Sequence, residues 1–159
     1  MTALPCYYLN KNDFAREDSI ILAVEDFITW CSLGFRYRTP GGNLFRVLST
    51  CRIDAIKVFG SVDEMRFLVQ SFNLDTASRD NLFKVESIIR DYLQEDNAIT
   101  NACGIVGLLS YAAEYWGGEN HPNHATACVI SLLYSILSSR CDLALIKSAV
   151  ICRLKRIMQ

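Results

Sequence analysis

The residues with the best spacing for chemistry in this 159-residue chain are His121, His124 and Cys128, with Glu119 close by. The steps of three and four put two imidazoles and a thiol on one helical face, where they could ligate zinc. Pro122 falls among them and the paired cysteines of common zinc sites are missing. The plainer reading makes His121 and Asn123 cap and loop residues and Cys128 a core residue. Catalysis has less to build on. No nucleophile is flanked by elbow-type glycines, and no GxxxxGK phosphate loop occurs. The adjacent carboxylates Glu25-Asp26, Asp63-Glu64 and Glu95-Asp96 point to different sides of a helix and read as solvated. The expectation is a protein that is not an enzyme and carries no cofactor.

Composition narrows the class further. Apolar residues make up 51% of the chain and charged residues 21%, with three prolines and eight glycines, which excludes disorder and low complexity. The length suits a single domain over residues 1–159 with one sizeable core. Sixteen basic and 17 acidic residues leave a net charge of −1 with no basic block, so nucleic acid is not an expected partner. Tyr7, Tyr8, Trp30, Phe35, Tyr37 and Trp116 have little basic interleaving and read as core cover. The seven cysteines are odd in number and form no CxxC pair; they read as reduced core residues of a cytoplasmic protein. The N-terminal stretch lacks the pattern of a secretory signal, and the run from Leu143 to Cys152 is too short and too charged to span a bilayer.

The elements that must position any site are helices; no stretch alternates convincingly enough for a strand. The expected fold class is all-α. A first helix spans about Asp18 to Leu33 with Ile20, Ile21, Val24, Phe27, Ile28 and Cys31 on one face, and Gly34 stops it. After the Thr39-Pro40-Gly41-Gly42 turn, a second helix covers Asn43 to Phe59, with Gly60 as its stop. Ser61 and Glu64 form a capping box for a short third helix to about Phe72. The fourth, from Thr76 or Ser78 to Leu93, turns Leu82, Val85, Ile88, Ile89 and Tyr92 inward and leaves Arg79, Lys84, Glu86 and Arg90 to solvent. The fifth carries no charge from Ala98 to Ala113 and ends at Gly117-Gly118. Pro122 suits the first turn of the sixth, to about Leu137; Ser139 or Asp142 caps a seventh to about Arg156. Helices five and six thus form an apolar hairpin that the others must surround.

One stretch of that hairpin, Asn101 to Ala113 (NACGIVGLLSYAA), resembles the first homology region of the Bcl-2 family, whose typical form is NWGRIVAFFEFGG. Asn101, Ile105 and Val106 match outright. Gly107 stands for a small alanine, Leu108 and Leu109 for the paired phenylalanines, Tyr111 for an aromatic, and Ala112 and Ala113 for two small residues. The order of elements extends the likeness loosely over most of the chain. The family's tryptophan is Ala102 here, its glycine Cys103, and the arginine that pairs with a ligand aspartate is Gly104. The third homology region matches poorly, with Leu48 six residues before Asp54 where the family has five, and the Gly-Gly-Trp of the second region does not occur. Divergence of this size is typical of viral members.

The resemblance implies a Bcl-2-like bundle of seven helices around the apolar hairpin, and a viral inhibitor of apoptosis. Such a protein sequesters the BH3 helices of pro-apoptotic Bcl-2 proteins, with Bim the foremost candidate, in a hydrophobic groove walled by the second to fifth helices. Candidate lining residues are Val47, Cys51, Phe59, Met65, Leu68, Val69, Phe72, Val85, Ile89, Asn101, Gly104, Ile105 and Leu108. Gly104 and Gly107, one turn apart, would admit a partner backbone or equally an internal helix crossing. A groove without its arginine would rely on apolar contacts, and two copies could meet on it as a symmetric dimer. Action at mitochondria would come through partners. The competing expectations are a zinc-supported helical module and a self-associating scaffold.

Overall fold

A computed structural model describes residues 18–35, 42–74, 79–93, 98–119 and 122–159. They form seven helices and no strand: α1 Ser19–Ser32, α2 Asn43–Phe59, α3 Val62–Gln70, α4 Arg79–Leu93, α5 Ala98–Glu119, α6 Pro122–Ile136 and α7 Arg140–Met158. The Pro40-Gly41 turn, the start of α4 before Arg79 and the sequence N-terminal to Asp18 lie outside the described residues.

The ends of these helices follow local chemistry. The Asp18 carboxylate caps α1 by accepting from the amides of Ile20 and Ile21 at 2.9 and 3.2 Å. Ser61 caps α3 by accepting from the Glu64 amide at 3.1 Å, while the Glu64 carboxylate lies against Gly60 instead of returning to Ser61. Ser139 caps α7.

One boundary departs from expectation. The Gly117-Gly118 pair does not end α5, which continues to Glu119. Gly117 is small for a tertiary reason: a Cβ there would meet the Ser32 carbonyl oxygen of α1 at 2.5 Å.

Helix α5 is the axis of the molecule. Every residue from Asn101 to Ser110 is buried, and α2, α1, α6 and α7 pack around it. A helix apolar on all sides can be stable in water only in such a sleeve. The cysteines divide. Cys31, Cys51, Cys103 and Cys128 are buried, but Cys141 and Cys152 are exposed on α7, and all six are free thiols. Helix α4 also differs from the expected pattern. Its Ile88 is 40% exposed, and Arg90, expected in solvent, reaches the corner between α6 and α7. There its guanidinium donates to the Ser135 carbonyl at 2.7 Å and pairs with Asp142 and Glu86. These bonds satisfy carbonyls at the end of α6 that the helix itself leaves open.

Candidate functional site

Two places on α5 qualify as a site: its seam with α2 and its cleft with α3. At the seam, the missing side chains of Gly104 and Gly107 are filled by α2. A Cβ on Gly104 would meet Val58 Cγ2 at 2.9 Å, and one on Gly107 would run into the Cys51 carbonyl oxygen and, at 2.9 Å, the Ala55 Cβ. The two glycines therefore serve an internal helix crossing. Gly104 stands where the resemblance puts the ligand-pairing arginine, yet it faces the protein's own α2.

The other groove candidates lie inside as well. Val47, Cys51, Phe72, Ile89, Ile105 and Leu108 are fully buried, and Met65, Val69, Val85 and Phe59 nearly so. Leu68 is half-buried against the same core. Phe59 meets Tyr92 edge-on at 4.4 Å between ring centroids. Asn101 acts within the fold, where its amide donates to the Tyr92 carbonyl at 2.7 Å and ties the start of α5 to the end of α4. The structure thus brings these residues together as one core, and no open channel separates α2 from α5.

Polar groups are buried in this seam. Asp54 of α2 is 7% exposed and pairs with Arg153 of α7, whose guanidinium also donates to Thr50 Oγ1 at 3.3 Å. The thiols of Cys51 and Cys103 lie beside them, within 4.8 Å of each other. The proximity of the two thiols and burial push the Cys51 thiol up, while the same proximity, helped by the Arg153 charge, holds Cys103 below the usual thiol range. Cys31 is pushed up to about 11 by burial, although the Arg52 guanidinium donates to its sulfur at 3.5 Å and works the other way.

The cleft between α3 and α5 is open. It holds about 320 Å³ and is lined by Val62, Met65 and Val69 of α3 and Tyr111 and Tyr115 of α5, with Arg66 and Glu114 at its sides. Glu114 is already paired with Arg52, whose guanidinium carbon lies 3.8 Å from the Tyr111 ring centre and which donates to Ser110 Oγ at 3.2 Å. Arg66 is exposed, and no ion pair among the described residues engages it. The indole of Trp116 donates to the Val69 carbonyl at 2.9 Å and fixes the end of α3 on α5. At the cleft, Val62 is 42% exposed, while Phe67, on the opposite side of α3, is 76% exposed.

Of the cleft lining, Met65 and Val69 are among the expected groove residues, while Val62, Arg66, Tyr111, Glu114 and Tyr115 are not. Met65, Leu68, Val69 and Phe72 keep the i, i+3, i+4, i+7 spacing of one stripe, and Phe67 falls off it. Of the zinc candidates, His124 Nε2 and Cys128 Sγ are 3.8 Å apart, and His121 lies outside the described residues.

Residues 4–142 match the family described as poxvirus Bcl-2-like proteins. The chain belongs to that family. It is 30% identical over 122 residues to protein OPG200 of monkeypox virus, covering 76% of each chain. The same identity and coverage hold for protein OPG200 of variola virus. It is also 25% identical over 151 residues to the IFN signaling evasion protein OPG029 of monkeypox virus, covering 94% of this chain and 92% of that one. No solved structure matches the chain. A poxvirus Bcl-2-like protein is therefore the frame for both sites. Its all-α bundle and viral Bcl-2 resemblance were legible from Asn101 to Ala113; the closure of its α2–α5 seam was not.

Proposed function

We propose that this poxvirus Bcl-2-like protein is a non-enzymatic evasion factor that binds a host protein of innate defence signalling from the host cytoplasm. Its contact surface is the α3–α5 cleft. The observation that carries this reading is the closed α2–α5 seam beside an open α3–α5 cleft. An open hollow lined by Tyr111 and Tyr115 and flanked by an unengaged arginine is the kind of anchor site that protein interfaces use. The relative named for evasion of IFN signaling supports the choice of pathway.

An interferon-response reporter in cells expressing the chain tests it. Reporter output should fall several-fold, and Val62→Asp combined with Arg66→Glu should restore it while the helical spectrum and melting stay unchanged. No suppression by the parent chain would refute the function; undiminished suppression by the folded double variant would refute the surface. Light scattering at micromolar concentration separates the competing use of the same face, self-association, which would give twice the monomer mass.

A second reading, sequestration of BH3 helices such as that of Bim, is favoured by the match of Asn101, Ile105 and Val106 to the first Bcl-2 homology region. It requires α2 to part from α5 and exchange its apolar contacts for those of the ligand. Calorimetric titration with a Bim BH3 peptide decides it: binding tighter than about 10 μM, roughly −7 kcal/mol, establishes this reading, and weaker binding rejects it.

A further inference from the structure

The buried polar cluster in the α2–α5 seam is not used by either reading of the surface. Cys51 and Asp54 of α2 and Cys103 of α5 each turn a ligand atom to one point, and these three atoms lie within 4.8 Å of one another. We propose that Cys51, Cys103 and Asp54 form a structural zinc site that pins α2 to α5.

Three observations carry it. First, donor type and spacing agree with the metal. Ligand atoms about 2.0–2.3 Å from a tetrahedral zinc stand roughly 3.5–3.8 Å apart, so side-chain adjustments of about an ångström suffice. Second, the site can take the ion without burying net charge. Before binding it holds one carboxylate, one guanidinium and two neutral thiols; zinc enters with two positive charges as two thiol protons leave to solvent, and the sum stays zero. Arg153, on the carboxylate of Asp54, becomes the outer partner that orients a ligand. Third, the close approach that Gly104 and Gly107 allow brings Cys103 next to the α2 backbone, so both helices contribute ligands. A water on the Asp54–Arg153 side, where Asp54 is 7% exposed and the Arg153 side chain 23%, is the fourth ligand. Because Cys51 and Cys103 are fully buried, loading accompanies folding, when the thiols are still open to water.

The test uses the full chain, refolded from denaturant under reducing conditions with one equivalent of zinc and then dialysed. About one zinc per chain should remain, and refolding in chelator should lower the melting midpoint by about 5 °C or more. Refolding with cobalt should give an intense thiolate-to-cobalt charge-transfer band. Cys103→Ser should reduce retained zinc at least tenfold, whereas Cys128→Ala should leave it unchanged. A helical, metal-free product, cobalt spectra without the thiolate band, or loss of zinc with Cys128→Ala in place of Cys103→Ser would each overturn the site. If Cys103→Ser does not fold, the cobalt spectrum of the unaltered chain still decides.

Discussion

Gly107 shows how a single missing methyl group shapes this molecule. Helix α2 passes so near that a Cβ at this position would overlap the Cys51 carbonyl, a backbone atom that cannot swing away. Gly107→Ala should therefore destabilise the protein by about 1–3 kcal/mol, by overpacking, although alanine is the better helix former. Chemical denaturation measures it; a neutral or stabilising result would mean that the seam yields. The Asp54–Arg153 pair has the opposite character, since it places charge where burial is costly. Arg153→Met should cost about 3 kcal/mol, the lower end for breaking a buried pair, because Arg153 keeps 23% of its side chain exposed. Adding Asp54→Leu should recover most of that loss, and the double-mutant cycle reads the coupling directly.

At the level of elements, Asp18 joins two helices by one carboxylate. It caps α1 and pairs with Lys147 of α7. Partial burial raises its carboxyl, but the hydrogen bond from Lys147 and the amides of Ile21 and Ile20 outweigh that and hold it below its ordinary value. A depressed folded-state value adds stability that is present above the unfolded carboxylate range near pH 4 and is lost as pH falls through the folded value. Asp18→Asn keeps a capping oxygen and removes the charge. The variant should be less stable by up to about 1 kcal/mol at pH 7 and should converge with the parent as pH falls through the folded value. Denaturation midpoints across that range check both the size and the sign. A constant gap down to acid would show that the charge is not the cause.

For the whole molecule, the sleeve around α5 sets the dynamics. Amides of α5 from Ala102 to Ala113 should exchange with solvent only through global unfolding. Helix α3 has nine residues and an exposed outer face, so its amides should open locally and exchange faster. Native-state hydrogen exchange tests this directly. Fast exchange in α2 comparable to that in α3 would reveal an opening of the α2–α5 seam, the motion that BH3 binding requires.

Much of this architecture was readable before any coordinate. Apolar periodicity and stop signals located the helices because those are local properties: Asp18 and Ser61 cap where their side chains meet nearby amides, and Gly60 ends α2 with a positive φ of 108°. The charge-free run from Ala98 to Ala113 required a buried helix, and thirteen residues within it pointed to the Bcl-2 fold. Those residues could not say which neighbour fills the space at Gly104 and Gly107, because an apolar helix is equally content against a ligand or against its own chain. Likewise, nothing near Arg90, Arg52 or Arg153 in sequence reveals a partner, since Asp142, Glu114 and Asp54 lie 52, 62 and 99 residues away. The sequence by itself determined helix content, the central helix and the family, through short-range patterning. Only tertiary packing decided that the α2–α5 seam is shut and that a cleft stands open between α3 and α5, because these depend on distances between residues remote along the chain.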